Sequence, residues 1–137
     1  MRTMQRFGIA CMAIFLSVGS AMAHHAFSAE FDAGKPITLK ATLSKVEWVN
    51  PHGWLHITVK DPSGKVTNWM GELGAPNALI RSGWSRDTLQ IGMELVLEGF
   101  RSKDGTNKMT AMSVLLPNGQ KLFSGSRGIG APEPPAR

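Results

Sequence analysis

Four histidines are the residues of this sequence best suited to chemistry, and two of them are neighbours, His24 and His25. If the chain is cut directly before His24, that residue offers its α-amino nitrogen and its ring Nδ1 atom as a chelating pair. Amine and imidazole nitrogens favour Cu(II) over most other divalent metal ions. We therefore predict a copper site that begins at His24 and takes a further imidazole as its third nitrogen donor.

The candidates for that third donor are His25, His52 and His56. Four residues of extended strand span roughly 13 Å, so His52 and His56 cannot both reach one ion unless the turn at residues 50–53 folds back. His52 lies within Asn50-Pro51-His52-Gly53, where the backbone can aim its side chain, whereas His56 lies on a regular strand. The predicted metal ligands are thus His24, His25 and His52. The alternative is a solvated N-terminus, with His52 capping its own turn.

The cut before His24 is itself a prediction from the start of the chain. Met1–Arg6 carries two arginines and no acid, Phe7–Val18 is almost wholly apolar, and Ala21-Met22-Ala23 has the small residues that signal peptidase recognises. This pattern predicts a signal peptide over residues 1–23 and a periplasmic or secreted protein. The apolar run is shorter than the roughly 20 residues that span a bilayer, so we expect no stable membrane insertion after cleavage.

The cysteine content and the net charge exclude several kinds of site from the predicted mature protein. The only cysteine, Cys11, leaves with the signal peptide, which excludes disulfides, thiolate metal sites and a c-type haem from the 114 residues that remain. Removal of Arg2 and Arg6 lowers the net charge from +5 to +3, and the lysines are spread out. Nucleic-acid binding is therefore not predicted.

Motifs of catalysis are weak in this sequence. There is no His-Glu-x-x-His segment and no local serine hydrolase signature, and Gly128-Ile129-Gly130 follows no strand. The scattered acids are interpreted as solvated surface: Glu30, Asp32, Glu47, Glu72, Asp87 and Glu94. We therefore predict a binding protein rather than an enzyme. An oxidative copper enzyme would also require an open coordination position and a substrate groove.

Alternating apolar and polar residues predict the elements that must position these groups. Five segments show the period of a strand: Ile37–Leu43, Leu55–Val59, Val66–Glu72, Met93–Phe100 and Thr110–Leu116. The alternation slips near Val46 and Trp48, which predicts a bulge. Pro76–Gly83 begins with proline and ends with glycine, as a short helix does.

This order of strands and helix predicts an all-β domain with one short helix, a five-stranded Greek-key barrel of the OB type. An open antiparallel meander is the alternative. The predicted domain covers residues 24–124. The tail from Gly125 to Arg137 is rich in glycine and proline and is predicted to be disordered.

Four tryptophans suggest a second kind of site. Most of these rings are expected in the core, but the alternation puts Trp54 on the face opposite Leu55 and Ile57. Together with His56 and Trp48, Trp54 is predicted to line a shallow pocket. The alternative function is therefore an OB-like module that binds a small ligand, an oligosaccharide or a partner protein.

Several spaced motifs resemble a family of small exported bacterial proteins of unknown function. They are His24-His25-Ala26-Phe27 with Phe31-Asp32, Val46-Glu47-Trp48-Val49-Asn50-Pro51-His52, Pro76-Asn77-Ala78-Leu79 with Gly83-Trp84, and Lys103-Asp104-Gly105. The similarity runs from about His24 to Phe123. It implies a single secreted domain in which the histidine segments and the Trp-Val-Asn-Pro-His turn belong to one pattern, and it implies no activity.

Overall fold

Six strands and one helix follow one another along the chain in the computed structural model, which describes residues 27–125. The predicted signal peptide, His24, His25 and the predicted tail beyond Gly125 lie outside these residues. A helical turn at residues 27–30 precedes the first strand. The elements are β1 (Phe31–Glu47), β2 (Trp54–Lys60), β3 (Val66–Glu72), α1 (Pro76–Arg81), β4 (Glu94–Ser102), β5 (Lys108–Leu115) and β6 (Lys121–Phe123).

Five of the strands form a closed ring in the order β1, β2, β3, β5, β4 and back to β1. All of these pairings are antiparallel except β3 with β5, which is parallel and closes the barrel. The helix lies between β3 and β4 in the chain. This is the arrangement of an OB-type barrel, so the predicted fold is confirmed and the open meander is wrong.

The barrel interior follows the predicted alternation. Leu55 and Ile57 are buried on β2, and Leu95 and Leu97 are buried on β4. Trp84, which follows the helix, is buried and donates its Nε1 hydrogen to the carbonyl oxygen of Phe123 at 2.8 Å. This bond attaches the segment after α1 to β6. None of the helices in residues 27–125 is long and apolar enough to cross a membrane.

The main departures from the prediction concern β1 and β6. β1 has 17 residues because its first part pairs with β4 and its last part pairs with β2. Residues 33–36 are all exposed, so no alternation of apolar and polar residues predicted this part of the strand. The predicted bulge is confirmed: it lies between Leu43 and Lys45, where the alternation changes phase before Val46 and Trp48. β6 has only three residues, too few for a periodic pattern.

Candidate functional site

His52 lies in the turn between β1 and β2, directly after the cis peptide bond between Asn50 and Pro51. The next residue, Gly53, continues the pairing of β2 with β3 into this turn. Its amide donates to the carbonyl oxygen of Gly74 at 3.1 Å, and its own carbonyl oxygen accepts from the amide of Leu73 at 2.8 Å. These bonds fix the turn, and so the backbone beside His52, against the end of β3.

The His52 ring meets a carboxylate at that place. Its Nδ1 atom contacts Oε1 of Glu72, the last residue of β3. The His52 side chain is 32% exposed and the Glu72 side chain is 7% exposed. An imidazole nitrogen and a carboxyl oxygen in contact hold a proton between them. The contact therefore orients the ring through Nδ1 and leaves Nε2 as its other nitrogen.

Glu72 has an unusual environment for a carboxylate. Burial, and then the charge of Glu30, raises the pKa of Glu72 to about 7, while the nearby ammonium of Lys108 opposes this shift. The prediction that Glu72 lies on a solvated surface is wrong. Trp69 and Gly71 alternate inward on β3, so Glu72 does point away from the barrel interior. Groups that are distant in the sequence bury it, so a local sequence pattern could not predict its burial.

Glu30 brings the start of the described chain to this cluster. The carboxylate of Glu30 contacts Nζ of Lys108, and the carbonyl oxygen of Glu30 accepts from the amide of Lys103 at 2.9 Å. At the other end of the same helical turn, Phe27 packs against Phe31 and Phe100 with ring centroids 6.0 Å and 5.8 Å apart. The turn at residues 27–30 is therefore held on the barrel.

His56 has different neighbours from His52. Its Nε2 atom lies 3.3 Å from Oε1 of Glu47 on β1 and is buried without a hydrogen-bond partner among residues 27–125. Lys45 also contacts this carboxylate. The bond from Lys45, and secondarily the charges of Lys45 and His56, lower the pKa of Glu47. The two histidines are thus held beside different carboxylates, from β3 and from β1.

The predicted ligand face is only partly assembled. Trp48 packs edge-on against Trp84, with centroids 6.3 Å apart. Trp54 is half-buried on β2. A groove of about 500 Å³ lies beside His56, and neither Trp48 nor Trp54 lines it. Its polar and thioether side chains are Ser44, His56, Thr58, Asn68, Met70 and Asn107.

Sequence patterns did not reveal this groove because its residues come from β1, β2, β3 and the turn before β5. Ser44 lies at the bulge of β1, and its hydroxyl donates to the carbonyl oxygen of His56 at 2.9 Å. Neither Asn68 nor Asn107 makes a side-chain hydrogen bond within the part of the chain that the structure describes. Uncharged hydrogen-bonding groups therefore face this groove.

The described residues alone do not form a metal centre. In residues 27–125, no three or more His, Cys, Asp or Glu side chains are arranged to hold an ion. Two of the three predicted ligands, His24 and His25, lie outside this range. The copper site of His24, His25 and His52 therefore stays a prediction.

Comparison with known proteins gives one match. No curated protein and no solved structure matches the chain. The model of one protein family matches residues 12–111, which is more than half of the chain and includes the turn of His52 and the strand that ends at Glu72. The chain therefore belongs to DUF6152, a family of unknown function.

Proposed function

We propose that this protein is a small exported binding protein that holds Cu(II) through the α-amine and ring of His24 together with His25 and His52. The observation that carries the proposal is the contact between Nδ1 of His52 and the buried carboxylate of Glu72. Metal-ligating histidines usually present their second ring nitrogen to a carboxylate, a backbone carbonyl or water, which fixes the ring and raises its basicity. Glu72 fits that supporting role, with Nε2 of His52 as the metal donor.

The position of the N-terminal turn supports the same assignment. Glu30, in the turn at residues 27–30, is near enough to Glu72 for its charge to raise the Glu72 pKa. Only one residue separates Phe27 from His25, and two residues of chain reach at most about 7 Å. The chain between the turn and the histidines is thus short, and the turn itself lies close to Glu72, which contacts His52.

The donor set supports copper over other metals. A terminal amine and three imidazoles supply only nitrogen, and nitrogen donors bind Cu(II) more tightly than the other common divalent ions of the first transition row. Thiolates are absent from the predicted mature sequence because its precursor has a single cysteine, Cys11. The proposed role is binding and carries no catalytic step.

Calorimetry of Cu(II) binding tests the proposal. Four proteins are compared: one that begins at His24, the same protein with its α-amine acetylated, His52→Ala, and His56→Ala as a matched control of equal exposure, 31% against 32%. We expect acetylation of the α-amine and His52→Ala each to weaken binding by at least about tenfold, and His56→Ala to leave it unchanged. Equal affinities in the first three proteins would exclude this site.

A second candidate function rests on the groove beside His56. Its side chains are hydroxyls, amides and an imidazole without a charged group among them, which suits a neutral ligand rich in hydroxyls such as an oligosaccharide. Calorimetry of ligand binding reports occupation of the groove. We expect Asn68→Ala to abolish a response to the ligand and Asn77→Ala, on the exposed side of α1, to retain it. A protein that gives no response to any neutral oligosaccharide tested would contradict this candidate.

A further inference from the structure

We propose that His56 and Met70 form a binding site for Cu(I), a soft monovalent metal ion, on the outer face of β2 and β3. The two residues lie directly opposite each other in the antiparallel pairing of these strands. Both also line the groove of about 500 Å³ beside His56. The inference goes beyond the proposed function and is independent of it, because none of the ligands proposed for Cu(II) takes part.

The register of the barrel places the two donors side by side. His56 lies between two buried residues of β2, and Met70 lies between Trp69 and Gly71, which face inward on β3. Both side chains are therefore on the outer face, where each is half-buried. Directly opposite residues of an antiparallel pair have Cβ atoms about 4.5–5.5 Å apart. At that separation an imidazole nitrogen and a thioether sulfur can reach one ion.

The His56 ring has a carboxylate on the β1 side of β2. Its Nε2 atom is buried and lies 3.3 Å from Oε1 of Glu47. Glu47 is held in its ionised form because the hydrogen bond from Lys45 lowers its pKa. A carboxylate beside Nε2 favours the tautomer that carries its hydrogen on this nitrogen. The lone pair of Nδ1 is then left as the metal donor.

The backbone of Met70 is fixed on both sides. Met70 pairs with His56 on one side and lies opposite Lys108 in the parallel pair of β3 with β5 on the other. Its amide donates to the carbonyl oxygen of Asn107 at 3.0 Å. The two donors are thus held at neighbouring positions before an ion binds, which lowers the entropy lost on binding.

The types of donor select the ion. A thioether is a soft ligand that suits Cu(I), whereas Mg²⁺ and Ca²⁺ require oxygen ligands and Zn²⁺ usually takes four donors. A neutral imidazole and a thioether supply no negative charge, which suits a monovalent ion better than a divalent one. The lysines that flank the pair in the register, Lys45 and Lys108, contact the carboxylates of Glu47 and Glu30, so their charges are balanced.

Nuclear magnetic resonance with Ag(I), a redox-inert substitute for Cu(I), tests the inference. Coordination shifts the methyl resonance of Met70 and the ring resonances of His56, so both signals report this site even if Ag(I) also binds elsewhere. Met70→Leu is followed through His56, and His56→Ala is followed through Met70. Met93→Leu is the matched control, because Met93 is a half-buried methionine whose Sδ atom accepts from the amide of Gln90 at 3.4 Å.

We expect both signals to shift in the unaltered protein and in Met93→Leu. Met70→Leu and His56→Ala are each expected to weaken Ag(I) binding at this site by at least about tenfold. An unmoved Met70 methyl resonance in the unaltered protein, or an unchanged affinity in His56→Ala, overturns the inference. Zn(II) is expected to leave the Met70 resonance in place. If Zn(II) shifts it as Ag(I) does, the assignment to a soft monovalent ion is wrong.

The positioning role of Glu47 has its own test. The nitrogen-15 shifts of the His56 ring report which nitrogen carries the hydrogen in the metal-free protein. We expect Glu47→Leu, which removes the carboxylate, to lower the fraction of the tautomer with hydrogen on Nε2 and to weaken Ag(I) binding. An unchanged tautomer and an unchanged affinity in this variant would mean that Glu47 does not position the ring.

Discussion

Two carboxyl groups of this protein have pKa values that their surroundings shift in opposite directions. Hydrogen bonds from Ser102 and Thr106 lower the pKa of Asp104 to about 2. Burial beside the charge of Glu30 raises the pKa of Glu72 to about 7. The Asp104 environment was visible in the sequence as a polar turn. The Glu72 environment was not, because it depends on Glu30 and Lys108, which are far away in the chain.

The raised pKa of Glu72 predicts a pH-dependent stability. Since the folded protein binds this proton more tightly than the unfolded chain, the stabilisation is complete below about pH 4.5 and is lost as the pH rises through about 7. The loss is at most about 3 kcal/mol. Glu72→Gln keeps an acceptor for His52 without a titrating proton. We expect it to gain free energy of unfolding relative to the unaltered protein between pH 5 and pH 8.

Urea denaturation at a series of pH values measures this difference. Glu94→Gln is the control, because Glu94 is 71% exposed and its nearest cation, Lys40, is 3.9 Å away. The control is expected to follow the pH profile of the unaltered protein. If the free energy of unfolding of Glu72→Gln depends on pH in the same way as that of the unaltered protein and of Glu94→Gln, the buried carboxyl does not govern stability in this range.

At the scale of elements, the alternation of apolar and polar residues predicted the strands that have one buried face. It missed the features that depend on residues far away in the chain. β2 and β3 were predicted to within one residue because each has one buried and one more exposed face. β1 was predicted too short, since residues 33–36 are exposed and lie where the pairing of β1 with β4 is irregular, between Phe31 and Pro36. The turn of His52 was predicted from Pro51 and Gly53, but its contact with Glu72 required the register of β2 with β3.

A second irregularity, in β4, gives a prediction at this scale. The register of β4 with β5 shifts between Glu98 and Gly99, and a Cβ atom at Gly99 would lie 1.9 Å from the backbone oxygen of Thr110. Because backbone cannot move aside as a flexible side chain does, Gly99→Ala must separate the two strands. We expect a loss of at least about 2 kcal/mol in the free energy of unfolding, measured in urea.

The control for Gly99→Ala is Gly34→Ala. Gly34 is exposed on β1, and the nearest atom to a Cβ there is Oδ1 of the Asp32 side chain at 3.2 Å. A change within about 0.5 kcal/mol is expected for it. Equal effects of the two substitutions would mean that the close approach of β4 and β5 does not constrain Gly99.

At the scale of the whole molecule, closure of the barrel brings Glu30, Glu72 and Lys108 to one end of the fold. The parallel pairing of β3 with β5 places Glu72 opposite Thr110, two residues from Lys108, while Lys108 contacts Glu30 in the N-terminal turn. Residues from the start, middle and end of the domain thereby meet. The resemblance implied that the histidine segments form one pattern, and in the closed barrel His52 contacts Glu72, whose pKa the charge of Glu30 raises.

This arrangement predicts how copper affects thermal stability. The amine and ring of His24 can chelate Cu(II) in the unfolded chain as well, so that part of the binding energy does not stabilise the fold. Only the contribution of His52 depends on folding. If it strengthens binding by about 10- to 100-fold, saturating Cu(II) adds about 1.4 to 2.7 kcal/mol to the free energy of unfolding. For a domain of this size each kcal/mol raises the midpoint of thermal unfolding by about 4 °C or more.

Calorimetric melting with and without Cu(II) measures this shift, and His52→Ala separates binding from stabilisation. The variant is expected to bind copper at its N-terminus while its melting midpoint stays nearly unchanged by the metal. His56→Ala, the matched control, is expected to keep the full shift because His56 lies beside Glu47 instead of Glu72. A shift of equal size in His52→Ala would mean that the folded barrel contributes to copper binding through some other group, and the assignment of His52 as the third donor would be wrong.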